Sequence, residues 1–127
     1  MPNTPATFSW YFANLVCEWV IEQGGVEEMH RRAVEKSSLL YDYIDQSDFY
    51  TNHVDPAYRS TINICFNMVD ESRQAAFLEG AKERGLLSLK GHRAVGGFRA
   101  NLYNAVPLAG VQKLVQFMDK FVTLTQQ

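Results

Sequence analysis

Large apolar residues recur at steps of three and four from Phe8 through Tyr11, Phe12, Leu15, Val16 and Trp19 to Val20, the spacing of one helical face. Thr4-Pro5 just before them predicts the helix start, with Thr4 as N-cap and Pro5 at the first helical position, where a missing N–H costs nothing. Gly24-Gly25 predicts its stop, since glycine enters the left-handed region freely. A second helix is expected over about 26–44. Met29, Ala33, Leu40 and Ile44 form its buried stripe, and its Glu, Arg and Lys residues its wet side.

The period then shortens. Phe49-Tyr50-Thr51 predicts a short strand, and 54–59, with Pro56, a loop. Ile62, Ile64, Phe66 and Met68 alternate with Thr61, Asn63, Cys65 and Asn67, as in a strand with one buried face. Asp70 is placed to cap a third helix running to Arg84 and ended by Gly85, and the apolar run 86–89 predicts another strand. Residues 98–103 alternate again. Pro107 opens a last helix with the stripe Leu108, Val111, Leu114, Val115, Met118 and Phe121. Several connections are too short for parallel crossovers. The expected fold is therefore α+β, a small mixed or antiparallel sheet with packed helices, preceded by a long helix.

Composition narrows the function classes. A chain of 127 residues with 46% hydrophobic content suits one packed domain rather than disorder. Twelve basic and 14 acidic residues give a net charge of -2, so no overall basic field favours nucleic acid or anionic lipid. No apolar run approaches the roughly 20 residues of a membrane span, and the first residues lack a basic stretch followed by an apolar one, so neither membrane insertion nor export is expected. Cys17 and Cys65 lie far apart, without histidines at ligand spacing, which argues against a disulfide or metal site and fits a reducing cytoplasm. With no cationic neighbour evident, both thiols read as inert. His30 and His53 have no partner at catalytic or metal spacing. Aromatic residues make up 13% of the chain and crowd its front.

Candidate chemistry concentrates in Lys90-Gly91-His92-Arg93-Ala94-Val95-Gly96-Gly97-Phe98-Arg99. Three glycines allow tight turning and close approach, and His92, Arg93 and Arg99 bring up to three cationic donors into a small volume. If Phe98, Ala100 and Leu102 share the buried face, Arg99 stands on the other, free to fork onto a carboxylate. The same spacing also suits solvated charges around a plain turn, since it lacks the G-K-[ST] of a P-loop. Asn3 and Thr4, at a helix start, suit either an anion or simple capping.

Asn3-Thr4-Pro5-Ala6-Thr7-Phe8-Ser9-Trp10-Tyr11, Gly24-Gly25, Tyr41 with Ile44-Asp45-Gln46-Ser47-Asp48-Phe49-Tyr50, Arg59-Ser60, Lys90-Gly91-His92-Arg93, and the block from Gly96-Gly97-Phe98-Arg99 to Tyr103-Asn104-Ala105 resemble the C-terminal third of the phosphoserine aminotransferase family, across essentially the whole chain. The resemblance implies the small C-terminal domain of a fold-type I, pyridoxal-phosphate-dependent transaminase, a cytoplasmic homodimer exchanging amino groups between 3-phosphohydroxypyruvate and glutamate. That is a step of serine biosynthesis, with a similar activity serving pyridoxine biosynthesis in bacteria. It implies that His92 and Arg93 hold the substrate phosphate, that Arg99 holds the α-carboxylate, and that Asn3 and Thr4 reach the cofactor phosphate of the neighbouring subunit. Residues 1–25 become a leading helix of the large-domain and dimer-interface region, and 26–127 the small domain. The Schiff-base lysine of the family lies upstream of N-T-P, so none of Lys36, Lys82, Lys90, Lys113 and Lys120 is expected to be catalytic, and the chain is expected to be inactive alone. The competing class is a non-enzymatic α+β module that senses a ligand or dimerises.

Overall fold

The computed structural model describes residues 3–125. It divides into two compact units, one ending at Arg32 and one beginning at Ala33. In the first, helix α1 (Thr7–Glu22) begins later than Thr4-Pro5 suggests, and its N-cap is Ala6, with no side-chain cap. A tight turn at Ala6 separates Pro5 from the helix, so Thr4 lies two residues ahead of the observed N-cap. The Thr7 N–H then donates to the Pro5 carbonyl at 2.8 Å, with Ala6 at φ -73° and ψ 67°, an inverse γ-turn. No side chain of α1 is buried. Gly24 and Gly25, at φ 105° and 80°, turn the chain directly into α2 (Gly25–Asp45). Near its start Glu28 accepts from Arg31 Nε and Arg32 Nε, both at 2.7 Å, and these cations hold its carboxyl down at about 2.

In the second unit the period-two segments pair as β1 (Tyr50–Thr51), β2 (Asn63–Met68) and β3 (Phe98–Asn101), in the order β1-β2-β3, with both pairings antiparallel. The run 86–89 forms no strand. Ser88 at φ 61° breaks the extended backbone, leaving a single bridge from Lys90 to Phe98 and a 2.8 Å bond from the Arg99 N–H to the Leu89 carbonyl. Asp70 does cap, accepting from the Ser72 N–H at 3.1 Å, but it caps a one-turn 3-10 helix (Glu71–Arg73) that leads into α3 (Gln74–Glu83). Pro107 lies just outside α4 (Leu108–Thr125), its carbonyl accepting the Gly110 N–H at 2.9 Å.

The core lies on one face of the sheet. Ile64, Phe66 and Met68 of β2 and Phe98 and Ala100 of β3 point into it, and α4 covers them with Val111, Leu114, Phe117, Met118 and Phe121. Phe77 of α3 is fully buried at the centre, its ring 4.6 Å from that of Phe98, 4.9 Å from Phe117 and 5.2 Å from Phe121. The architecture is α+β, as expected, with three strands rather than four.

The α2 stripe of Met29, Ala33, Leu40 and Ile44 is buried as its spacing predicts, but it has a polar member. Lys36, expected on the wet side, is only 3% exposed, and its ammonium donates to the carbonyls of Leu102, Tyr103 and Val106 at 3.2, 2.7 and 2.9 Å. Helical periodicity puts Lys36 three residues from Ala33 and four from Leu40, on their face. Its charge is tolerable there because the turn between β3 and α4 turns three carbonyls toward it. Lys36→Met keeps the stem and strands those carbonyls. It is expected to lower unfolding free energy by about 3 kcal/mol in urea titration, against less than about 0.5 kcal/mol for Lys113→Met on the exposed side of α4.

Candidate anion site on the open face of the sheet

Alternation that sends Phe98 and Ala100 inward leaves Arg99 on the opposite face, paired in register with Cys65 of β2. The loop before it is folded tightly. His92 O accepts from the N–H groups of Val95 and Gly96 at 2.9 and 2.8 Å, and Gly91 N–H donates to Gly97 O at 2.9 Å. Gly91 is needed for closeness, because a Cβ there would overlap the Gly96 carbonyl. Gly97 is needed twice over: it sits at φ 61°, and a Cβ would overlap the Asn67 side chain. The loop is thus seated against β2, with His92 brought over the open face.

The result is a cavity of about 200 Å³ whose wall includes Asn52, His53, Cys65, Asn67, His92 and Arg99. Arg99 is half-buried, forms no ion pair among the described residues, and has a buried Nε with no hydrogen-bond partner. A buried guanidinium N–H left open is costly, so this geometry favours an anionic acceptor in the cavity. The His92 Nδ1 accepts the Ala94 N–H at 3.3 Å, which leaves its Nε2 as the donor. Arg93 is exposed on the turn and does not line the cavity. Asn3 and Thr4 are exposed in the first unit, ahead of α1.

The rim of the cavity is braced from behind. Arg59 grips the Asp45 carboxylate through both terminal nitrogens, at 2.5 and 2.9 Å, and donates through Nε to the Val54 carbonyl at 3.2 Å. Its guanidinium lies 4.7 Å from the centre of the Tyr41 ring, and the Tyr41 hydroxyl donates to Ser60 O at 2.9 Å. This holds the segment 52–60 against the end of α2. Burial pushes the Tyr41 hydroxyl up from its ordinary value, keeping it a donor.

Sequence reasoning singled out His92, Arg93 and Arg99 and missed Asn52, His53 and Asn67. Nothing in linear spacing links these to Arg99, because strand register and the fold of the loop bring them to one cavity. Cys65 corrects an expectation directly: it has a cationic neighbour, Arg99, across the ladder. A larger depression of about 290 Å³ beside Leu86, Leu87 and Leu102 is apolar and lined by no charged side chain. No cluster of histidine, cysteine and carboxylates suited to a metal occurs among the described residues, and no described helix is long and apolar enough to cross a membrane.

Comparison with known proteins gives a consistent picture. The aminotransferase class-V family model matches residues 2–114. The chain is 56% identical over 122 residues to a phosphoserine aminotransferase of Acinetobacter baylyi, which covers 96% of this chain and 34% of that protein. Among solved structures, it resembles the phosphoserine aminotransferase of Bacillus circulans subsp. alkalophilus, with 45% identity, a TM-score of 0.89, and coverage of 94% of this chain and 33% of the other. It also resembles a pyridoxal-phosphate-bound phosphoserine aminotransferase of Trichomonas vaginalis, with 41% identity, a TM-score of 0.87, and coverage of 94% and 34%. The chain spans about a third of the length of the curated relatives it matches.

The two loop glycines separate strain from collision. Gly96→Ala, at φ 78° with open space around it, is expected to cost about 1 kcal/mol from the left-handed backbone alone. Gly97→Ala adds the collision with Asn67 and is expected to exceed about 2 kcal/mol in thermal or urea unfolding, with amide shifts along β2 and β3.

Proposed function

Because the chain belongs to the class-V aminotransferase family, we propose that it forms the C-terminal third of a pyridoxal-phosphate-dependent phosphoserine aminotransferase. The reaction is the exchange of an amino group and a carbonyl oxygen between glutamate and 3-phosphohydroxypyruvate, giving 2-oxoglutarate and O-phosphoserine. The observation that carries this reading is Arg99, a half-buried guanidinium with an open Nε in a cavity shared with His92. Both amino-acid substrates carry an α-carboxylate, and a fixed planar fork suits it better than a lysine would. His92 and the adjacent Arg93 supply donors for the substrate phosphate. Asn3 and Thr4 supply them for the cofactor phosphate across a homodimer interface, with residues 1–25 belonging to the large-domain and interface region and 26–127 to the small domain. The enzyme works in the cytoplasm, in serine biosynthesis.

The described residues suit only part of the cofactor. Pyridoxal phosphate, when bound, supplies a carbonyl and an electron sink, and it requires a lysine free to condense with that carbonyl. Lys36 commits its ammonium to three carbonyls. Lys82, Lys90, Lys113 and Lys120 are exposed, and no lysine lines the Arg99 cavity. With no lysine in the wall of the Arg99 cavity, this reading assigns the condensing lysine to another part of the intact enzyme. Borohydride reduction of residues 1–127 treated with pyridoxal phosphate is expected to leave no specific pyridoxyl-lysine on peptide mapping; one stoichiometric adduct would overturn this assignment.

In the intact enzyme, Arg99→Lys is expected to weaken glutamate and phosphoserine alike, and Arg93→Ala mainly the phosphorylated substrate, each by about 1.5 to 3 kcal/mol of transition-state binding. Half-reaction kinetics check both. Equal slowing of the two half-reactions by Arg93→Ala would remove that residue from the phosphate.

A further inference from the structure

Arg99 is not the only group left open at its cavity. Asn52 lines the same wall, just beyond β1, and its Nδ2 is buried without a hydrogen-bond partner. The orientation of this amide follows from its other end: Oδ1 accepts the Val54 N–H at 2.7 Å, so the donor nitrogen is the atom left over. Val54 is itself held, its carbonyl accepting from Arg59 Nε at 3.2 Å while Arg59 grips Asp45. A buried donor without a partner costs on the order of a hydrogen bond, and two in one cavity call for an acceptor with more than one lone pair. A carboxylate, with two oxygens and about four lone-pair positions, answers both.

We propose that Asn52 is a second binding residue for the substrate α-carboxylate, donating through Nδ2 to the carboxylate that Arg99 engages. The assignment rests on the reading of Arg99 as the carboxylate arginine. Arg99 provides charge and planar geometry. Asn52 provides a neutral donor from the opposite edge of the sheet, on a segment that the Asp45–Arg59 pair braces. A group reached from two strands separated by β2 is held in orientation as well as in place, which a single flexible arginine does not achieve.

The test uses the intact holoenzyme. Asn52→Asp keeps an oxygen for the Val54 N–H and replaces the donor with a charge of the same sign as the ligand. Asn52→Ser keeps a shorter acceptor for the turn, is neutral, and does not reach the cavity. Both are expected to raise KM for glutamate and for phosphoserine about tenfold, the aspartate variant more, with kcat within about twofold. Inhibition by O-phosphoethanolamine, which has the phosphate and amine but no carboxylate, is expected to stay unchanged.

Arg99→Lys is run alongside. If it raises both KM values while neither Asn52 variant does, Asn52 is satisfied by another part of the protein and the inference falls while the reading of Arg99 stands. If Arg99→Lys moves neither, that reading fails and takes the inference with it. Loss of O-phosphoethanolamine inhibition in step with the KM changes would make Asn52 a support for the whole site and would overturn its role at the carboxylate.

Discussion

The packing around Phe77 decides which way every side chain of the sheet faces. Its ring touches those of Tyr50, Phe66 and Phe98, one from each strand, and of Phe117 and Phe121 from α4. A ring of this kind removes a large apolar surface from water and prefers the tilted and edge-on contacts seen here. Once Phe66 and Phe98 are committed to it, strand alternation leaves Cys65, Asn67 and Arg99 no choice of face. A one-residue slip of β3 would put a guanidinium in the aromatic cluster and Phe98 in water. The cost of either exchange ties the position of Arg99 to the hydrophobic core rather than to any contact of its own.

Polar constraints then fix the ends of β3. At its C-terminal end, Lys36 gathers the carbonyls of Leu102, Tyr103 and Val106 and so anchors the turn into α4 to α2. At its N-terminal end the glycine loop lies directly on β2, closed by the Gly91–Gly97 hydrogen bond. A strand of four residues is short for holding a cation still. Held at both ends and packed on one face, it presents Arg99 as a rigid element would, which a binding group needs if its donors are to meet a planar acceptor.

Much of this fold was legible because its periods are clean. The period of two in β2, the α2 stripe and the α4 stripe all found their buried faces. Local signals failed where a neighbouring residue overruled them. Thr4 reads as an N-cap until the turn at Ala6 puts Pro5 outside the helix, and 86–89 reads as a strand until Ser88 turns left-handed. Lys36 shows a different limit: a hydrophobicity pattern assigns lysine to water, and only the carbonyls of a turn some seventy residues away make its burial tolerable. In the cavity, the glycines and flanking cations of 90–99 were visible as a cluster, whereas Asn52, Asn67 and Cys65 owe their places to cross-strand register, which no sequence spacing encodes.

The proposed anion donors fall into two physical kinds. Arg99 and His92 take their positions from contacts within the second unit: the aromatic core, the Lys36 anchor, the glycine loop and the Arg59 brace. Asn3 and Thr4 precede a helix that buries none of its own side chains, with Phe8 and Trp10 respectively 77% and 75% exposed. Phe8, Phe12 and Leu15 share one side of α1 while Trp10 lies on the other, so its apolar surface extends beyond one face and is interrupted by a polar strip that carries the exposed Asn14–Glu18 hydrogen bond. On the proposed reading, their geometry at the cofactor phosphate depends on what covers α1. On the proposed reading, substitutions in the sheet act on the first kind of donor through the fold, whereas substitutions on the aromatic surface of α1 act on the second kind through whatever covers that surface.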